Sequence, residues 1–325
     1  RYDADDDLKT NINYEKRIKS ALKQLNEDKN TYLIKTYQET KDEKSQDEDE
    51  DEEEPTGLQK YSPKFLHILE NIQDPDHKGL HLIYTQFRTL EGIGILKLVL
   101  EANGFTQFKI ALKDKEWVLN ISEENKGKPM FALYTGTETV EEKEIIRNVF
   151  NGAWKFIPTS LSKQLTNIST NNFYGEIIKV LLITASGAEG ISLKNVRYVH
   201  ITEPYWHPVR INQVIGRARR ICSHEDLPEP ERTVDVFLYL MTFTKKQMES
   251  NDAIELRLKD KSKIDNMTPV SSDELLYEIS TLKEDLTNKI LHNVKESSID
   301  CFLHSNSDEN LKCFTFNTND PNKFS

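Results

Sequence analysis

Residues 179–222 read KVLLITASGAEGISLKNVRYVHITEPYWHPVRINQVIGRARRIC, and the architecture expected of the whole chain follows from this segment. Two apolar runs, Val180–Thr184 and Tyr198–Thr202, are rich in β-branched residues and predict two buried strands. The loop Ser186–Gly190 follows the first run, and its two glycines let backbone N–H groups approach an anion closely. After the second run, a helix is predicted to begin near Val209.

One face of this predicted helix carries groups that suit an anion. Gln213, Arg217 and Arg220 are spaced four and three residues apart, so an amide and two guanidinium groups are expected to share a face. Arginines on a helix most often form a solvated surface, and that interpretation stays open. Gly216 favours the interpretation as an anion-binding face. A glycine inside a helix costs about 1 kcal/mol of helix stability, but it leaves room for a closely approaching partner.

Three motifs in this segment resemble those of the superfamily 2 helicases and translocases, in their second RecA-like lobe. Residues 186–193, SGAEGISL, are similar to motif V, and residues 213–220, QVIGRARR, are similar to motif VI. Trp206-His207-Pro208 is similar to the W-N-P of Snf2-type remodellers at the same spacing, with His207 in place of the usual asparagine. The segment as a whole is nearer to helicases of nucleocytoplasmic large DNA viruses, which are relatives of the poxvirus early transcription factor ATPase and nucleoside triphosphatase I.

Strands alternate with helices along the central part of the chain. This pattern predicts an α/β fold with a parallel sheet covered by helices on both faces, and the resemblance implies the same architecture, a RecA-like second helicase lobe. We expect a polar N-terminal segment with a disordered acidic linker at residues 1–57, the lobe at 58–245 and a helical C-terminal extension at 246–325.

Helical patterns also lie outside the predicted lobe. In the extension, an apolar stripe from Leu275 to Val294 predicts an amphipathic helix that is capped at Ser272 and packed on the lobe. Near the N-terminus the pattern is weak and rests on Ile12, Ile18, Leu22 and Leu25.

The predicted lobe begins with a strand, Leu80–Tyr84, followed by the polar turn Thr85-Gln86 and a helix that stops at Asn103-Gly104. This strand and turn resemble motif IV of the same family, whose turn lies against the nucleic-acid backbone; on the residues alone it is an ordinary loop. Met130–Tyr134 predicts another strand and Val140–Phe150 another helix.

Two insertions interrupt the alternating pattern. Residues 105–128 are too long for an ordinary connection and are expected to hold short strands of their own. Residues 153–176 are rich in serine, threonine and asparagine, and their sequence assigns them no function.

The charge of the chain limits how it can bind nucleic acid. The formal net charge is −11, and most of it belongs to the eight consecutive acidic residues 47–54, so the rest of the chain is nearly balanced. Any contact with nucleic acid must therefore use a local basic surface.

Cysteine usage and the absence of long apolar runs indicate an intracellular, soluble protein. Three cysteines without a repeated short spacing argue for a reducing compartment and against a disulfide framework. Cys222-Ser223-His224 could be half of a metal site, but no second pair of ligands accompanies it. If the chain is viral, its place is the host cytoplasm, in a virus factory, or the virion. Because it begins with Arg1, we expect it to be part of a longer chain.

The sequence contains only one part of the machinery that hydrolyses a nucleoside triphosphate. No G-x-x-x-x-G-K-[ST] occurs, since Pro129 follows Gly127-Lys128, and no apolar run ends in paired carboxylates. ATP and Mg²⁺ are therefore expected to be bound mainly by an N-terminal helicase lobe outside this chain.

The resemblance implies a role for each motif residue. Arg220 would be the arginine finger, with Arg217 as its companion and Gln213 orienting the phosphate or the arginines. Gly190 and Glu189 would touch the nucleotide. The residues expected on the nucleic acid are Thr85, Gln86, Thr184, Ser186, Gly187 and Trp206.

Two functions fit these features. The first is the C-terminal half of an ATP-dependent helicase or translocase, acting on DNA or RNA without reading sequence. The alternative is a non-catalytic interaction module of a transcription or remodelling complex, which would have no need for a glycine and two guanidinium groups on one helix. Transcription machinery is a further expected partner, and a membrane is not.

Overall fold

The computed structural model of the chain describes residues 4–35, 56–136, 138–185, 190–249, 260–304 and 311–314. Its strands are β1 (Leu80–Tyr84), β2 (Thr106–Gln107), β3 (Ile110–Lys113), β4 (Glu116–Leu119), β5 (Met130–Tyr134), β6 (Ile178–Ile183), β7 (Val196–Ile201), β8 (Asp235–Leu238), β9 (Asp260–Lys261) and β10 (Pro269–Val270). Six of them form one sheet in the order β2-β5-β6-β1-β7-β8, and each neighbouring pair is parallel. The predicted parallel α/β sheet is confirmed.

The α-helices of the described residues agree with the predicted pattern inside the lobe. They are α1 (Ala4–Glu27), α2 (Lys29–Tyr32), α3 (Gly57–Tyr61), α4 (Pro63–Gln73), α5 (Ile95–Ala102), α6 (Val140–Phe150), α7 (Thr159–Thr166), α8 (Pro208–Ala218), α9 (Lys245–Glu249), α10 (Ser272–Ser297) and α11 (Cys301–His304). A capping box between Thr139 and Glu142 fixes the start of α6, because it satisfies two backbone N–H groups at the helix terminus.

Both faces of the sheet are buried. Every residue of β1 is buried, and successive side chains of a strand point to opposite faces. On one face, Ile83 and Val180 pack with Leu69 of α4 and Val99 of α5 in the main apolar core. Helix α6 packs against β5 and β6 with its own buried residues, among them Val149. Burial of each large apolar side chain is worth about 1.5–3 kcal/mol.

The helix after β1 begins later than its apolar pattern predicts. Residues Leu90–Gly94 form a wider π-helical turn, and regular α-helix starts only at Ile95. Gly92 leaves helical geometry at φ −123° and ψ −106°, and a Cβ there would lie 2.1 Å from the carbonyl oxygen of Phe87. The backbone therefore passes too close to Phe87 for a side chain at residue 92. The predicted stop is confirmed, with Asn103 as the C-cap.

Two segments predicted only weakly also have regular structure. The first insertion contains β2 and an antiparallel hairpin of β3 and β4, as expected for residues 105–128. The N-terminal pattern forms α1, whose Leu22 and Leu25 pack against the main core beside buried Leu33. The acidic run at residues 47–54 lies outside the described residues.

The chain divides into two compact units. The first contains residues 1–203 and 212–240 and includes the parallel sheet; the second contains residues 204–211 and 241–325 and includes α10. No helix in the described part of the chain is both long and apolar enough to cross a membrane.

Helix α10 is present, but its N-cap is Ser271, which forms a capping box with Glu274, one residue before the predicted cap. The later part of its apolar stripe is exposed, since Leu282, Leu286, Ile290 and Val294 are each half exposed or more. Packing of the stripe on the lobe stays a prediction. The spacing of apolar residues identifies one face of a helix but does not determine what covers it.

Cys301 and Cys313 form a disulfide bond, which the cysteine spacing did not predict. The segment 311–314 lies beside the end of α10, where the Lys312 N–H donates to Glu296 Oε1 at 2.8 Å and the Phe314 N–H donates to the Glu296 carbonyl oxygen at 3.0 Å. This chain reversal, which is not visible in the spacing, brings the two cysteines together.

Candidate functional site

Four buried threonines line the carboxyl edge of the parallel sheet. Each directly follows one of the four central strands, so the parallel arrangement places all of them at the same edge. They are Thr85 after β1, Thr135 after β5, Thr184 after β6 and Thr202 after β7. The sequence shows a threonine after each apolar run, but it did not predict that these threonines connect neighbouring strand ends at one edge of the sheet.

The hydroxyl groups of these threonines connect the ends of neighbouring strands. Thr184 Oγ1 donates to the Thr135 carbonyl oxygen at 3.0 Å, and Thr202 Oγ1 donates to the Tyr84 carbonyl oxygen at 2.9 Å. Thr85 Oγ1 donates to Glu203 Oε1 at 2.7 Å. Buried hydroxyls with internal acceptors fix the strand ends and so hold the loops that follow them. Contact of Thr85 and Thr184 with nucleic acid stays a prediction.

Glu203 holds the turn predicted as motif IV. Besides accepting the hydroxyl of Thr85, its carboxylate accepts the backbone N–H of Gln86 at 3.1 Å. The Gln86 side chain is half-buried next to this contact. Charged acceptors form stronger hydrogen bonds than neutral ones, so Glu203 fixes the turn against the end of β7. The only feature of the sequence that could have indicated this role is the position of Glu203 directly after the second apolar run, Tyr198–Thr202.

Glu138 does the same for the turn after β5. Its Oε2 accepts the backbone N–H groups of Thr135 at 2.9 Å and Gly136 at 3.0 Å. Two strand ends of the sheet are thus each followed by a turn whose backbone is bound by a carboxylate.

Gly190 is the one predicted residue of the motif V loop that the structure describes. It has φ +73°, and no atom of the described residues lies within 4 Å of the position that a Cβ would take. The positive φ is a backbone conformation that favours glycine there. The other predicted residues of this loop, Ser186, Gly187 and Glu189, lie outside the described residues.

Gln213 and Arg217 lie on α8 as predicted, but Arg220 does not. The helix ends at Ala218, so the prediction that Arg220 shares its face is wrong. Ser223 explains the early end: its Oγ lies 3.1 Å from the carbonyl oxygen of Ala218 and 2.8 Å from that of Arg220. A serine that satisfies these groups locally replaces further helical turns.

The two arginines are still connected to the segment that leaves the motif V loop. Arg220 Nη2 donates to the Ile191 carbonyl oxygen at 3.1 Å, and the Leu193 N–H donates to the Arg217 carbonyl oxygen at 3.3 Å. Sequence reasoning expected both motifs near one site, and these two bonds place residues 191–193 directly beside the arginines.

Asn151 braces the same segment from the other side. Its Nδ2 donates to the Ser192 carbonyl oxygen at 3.0 Å, and its Oδ1 accepts the Lys194 N–H at 2.9 Å. Because Asn151 is the C-cap of α6, this helix supports the exit of the motif V loop. The role was not predicted from the sequence.

The guanidinium groups of Arg217 and Arg220 differ in their exposure and in which of their N–H donors form hydrogen bonds. Arg220 is exposed and, among the described residues, makes one side-chain hydrogen bond with its five possible N–H donors. Arg217 is half-buried, and its Nε is enclosed without a hydrogen-bond partner in the described part of the chain. Arg220 therefore has more N–H donors that an outside acceptor could reach.

The possible metal site at Cys222 and His224 is not formed. Both ring nitrogens of His224 are engaged, Nε2 with the Val196 carbonyl oxygen at 2.7 Å and Nδ1 with Ser223 Oγ at 2.8 Å. Within the described ranges, no group of three or more histidine, cysteine or acidic side chains is placed to hold a metal ion.

Trp206 belongs to the second unit and is 48% exposed. Its ring lies next to His207 and Tyr205, at centroid distances of 4.6 Å and 5.9 Å.

Known proteins resemble this chain most clearly over its centre. Residues 113–222 match the helicase conserved C-terminal domain. The chain is 35% identical over 161 residues to R350 of Acanthamoeba polyphaga mimivirus, which is provisionally named an ATP-dependent RNA helicase; the match covers 50% of this chain and 16% of that protein. It is 37% identical over 195 residues to a termination factor NPH-I homolog of African swine fever virus, covering 58% and 27%.

The chain thus spans only a minor part of the length of these viral relatives. Among solved structures, the C-terminal part of the Fun30 ATPase domain covers 69% of this chain and 53% of its own, at 16% identity and a TM-score of 0.32. That similarity is too low to add to the evidence of the parallel sheet. By its sequence, the central part of the chain is similar to the helicase conserved C-terminal domain.

Proposed function

We propose that this chain is the C-terminal half of an ATP-dependent nucleic-acid helicase or translocase, and that it supplies the arginine finger and part of the nucleic-acid track. The observation that carries the proposal is the pair of bonds joining residues 191–193 to Arg217 and Arg220.

The residues present fit the phosphate end of ATP. Arg220 is exposed, with most of its N–H donors unused among the described residues, and no described atom lies within 4 Å of the position that a Cβ of Gly190 would take. Gln213 is exposed on the same helix as Arg217. The rest of the nucleotide and Mg²⁺ would be held mainly by an N-terminal lobe, which supplies the lysine and carboxylates that this sequence lacks.

Hydrolysis of bound ATP would supply the free energy that drives the opening and closing of the two helicase lobes. Arg220 places positive charge where negative charge develops on the γ-phosphate, and Arg217 assists it. Because Arg220 bonds to Ile191, movement of the arginine relative to the phosphate is transmitted to the exit of the motif V loop. The loop and the turn at Gln86 then move along the nucleic acid.

The nucleic-acid contacts of this proposal are to the backbone, and they suit DNA and RNA equally. They would be made by the turn at Gln86, the loop at 186–190 and the exposed Trp206. Since relatives from African swine fever virus are named termination factor homologues, we extend the proposal to a protein that works with transcription machinery in a viral factory in the host cytoplasm or in the virion.

ATP turnover by two forms of the protein tests this proposal. The isolated chain should hydrolyse ATP at the background rate, because the lysine and carboxylates are absent from it. The full-length protein should hydrolyse ATP and be stimulated by single- or double-stranded nucleic acid. Turnover by the isolated chain, or a full-length protein without turnover, would contradict the proposal; the second result would favour the non-catalytic interaction module.

A further inference from the structure

Within the second unit, one lysine of α10 makes two contacts with Trp206. Lys283 Nζ lies 4.0 Å from the centroid of the Trp206 ring, and it donates a hydrogen bond to the Trp206 carbonyl oxygen at 3.2 Å. The same ammonium group therefore restrains both the ring and the backbone of one residue. At this distance the cation is attracted by the face of the indole.

We propose that Lys283 is a positioning residue that holds Trp206 in place for contact with a nucleic-acid strand. This inference rests on the proposed function, because it assigns a support to a residue of the proposed track. It also gives the C-terminal extension a role, since α10 carries the lysine and is anchored at its start by the capping box of Ser271 and Glu274.

The ring of Trp206 has the properties of a stacking platform. It is 48% exposed although it is a large aromatic side chain, and its contacts with His207 are edge-on, at an interplanar angle of 78°. A base or sugar stacked on an exposed aromatic ring is a common way to bind a single strand without reading its sequence. A ring that is already held in place loses less conformational entropy when a base stacks on it.

The surroundings of the ring also suit a polyanion. Arg210 lies over the ring of Tyr205 at 4.6 Å, next to the Lys283 and Trp206 pair. Each of two neighbouring aromatic rings thus has a cation over it. A single strand offers phosphates to such cations and bases to such rings.

Other cations of α10 do not share this position. Lys289, six residues later, pairs with Asp285 at 2.6 Å on an exposed part of the helix. It therefore serves as the matched control, with the same residue type on the same helix.

The test measures binding of a fluorescent oligothymidylate and an oligouridylate by the full-length protein. Lys283→Met keeps the aliphatic part of the side chain and removes the charge, and it should weaken binding about 5-fold, in line with the strength of a cation–π contact. Lys283→Arg should restore most of the affinity, and Lys289→Met should leave it unchanged. In a Trp206→Ala background, Lys283→Met should have no further effect, because the lysine acts through the ring.

A second readout separates positioning from general stability. In protein labelled with 5-fluorotryptophan, Lys283→Met should shift or broaden the ¹⁹F resonance of Trp206, assigned by its loss in Trp206→Ala, and leave those of Trp117 and Trp154 in place. The inference is overturned if Lys283→Met binds like Lys289→Met, or if its effect is fully additive with Trp206→Ala, as for a direct phosphate contact. If the unmodified protein binds a mixed-sequence duplex but neither oligonucleotide, the inference is overturned; if it binds none of the three, the proposed function fails instead.

Discussion

At the scale of single residues, the candidate site depends on side chains that hold backbone. Three side chains hold turns in place by hydrogen bonds to the backbone of those turns: Glu203, Glu138 and Asn151. None of the three is proposed to contact a ligand directly. Their common feature is that one polar group satisfies two partners. Such groups fix loops at a sheet edge, where loops otherwise have few contacts.

Glu203→Gln tests this role. An amide oxygen accepts more weakly than a carboxylate, and the –NH₂ group would oppose either the Thr85 hydroxyl or the Gln86 N–H. We expect a loss of about 1–3 kcal/mol in the free energy of unfolding, measured by urea denaturation. Glu123→Gln, which removes an exposed pair with Lys126, should change it by less than about 0.5 kcal/mol. Equal effects of the two substitutions would refute the role of Glu203.

At the scale of elements, β1 and β7 are joined by a buried chain of polar side chains. Asn71 Nδ2 can only donate, so it donates to the Tyr239 hydroxyl oxygen at 2.9 Å, and the Tyr239 O–H donates to His200 Nδ1 at 2.8 Å. His200 Nε2 then carries the proton and donates to His81 Nδ1 at 3.0 Å. Both imidazoles are neutral in this arrangement.

This chain predicts a loss of stability in mild acid. Burial lowers the pKa of His200 to about 3, and burial together with the adjacent His200 holds the pKa of His81 well below its usual value. In the unfolded chain both would take up a proton near pH 6.5, whereas the folded chain would not. The contribution of these two histidines to the free energy of unfolding is therefore complete above pH 6.5. It is lost as the pH falls from there towards 3, by about 1.4 kcal/mol per pH unit for each histidine.

Urea denaturation at a series of pH values between 7.5 and 5 measures this effect. His200→Phe should be less stable at pH 7.5, because the Tyr239 O–H loses its acceptor. Its free energy of unfolding should also fall less steeply with acid, because one fewer proton is taken up on unfolding. His67→Ala removes an exposed histidine and should keep the full slope. A slope that is the same in all three proteins would exclude the buried pair as its source.

The central strands of the sheet were predictable, and the end of the helix with the arginines was not. The runs Leu80–Tyr84 and Met130–Tyr134 are strands with the predicted boundaries, because both faces of the sheet are buried and the apolar run ends where burial ends. The helix with the arginines ends at Ala218, because Ser223 returns to its last carbonyl groups, a contact that helical spacing does not show.

At the scale of the whole molecule, the sequence predicted the parallel sheet and the similarity to a helicase C-terminal domain, but not the residues that support the site. Motifs are short because only a few residues touch a ligand, whereas Glu203, Asn151 and Lys283 act through residues distant in sequence. The exposure of the apolar stripe of α10 could not be predicted for the same reason, because local periodicity does not specify which residues pack against a helix. The central claim, that the arginine segment completes a nucleotide pocket, therefore has to be measured in the full-length protein.

The most direct measurement is kcat for nucleic-acid-stimulated ATP hydrolysis by full-length Arg220→Ala and Arg219→Ala variants. These arginines are neighbours and both are exposed, but among the described residues only Arg220 bonds to the motif V segment. We predict that Arg220→Ala lowers kcat by about 10³- to 10⁵-fold while nucleic-acid affinity changes little, and that Arg219→Ala keeps kcat within a few-fold of the unmodified protein. Unchanged turnover in Arg220→Ala, or an equal loss in Arg219→Ala, would contradict the account.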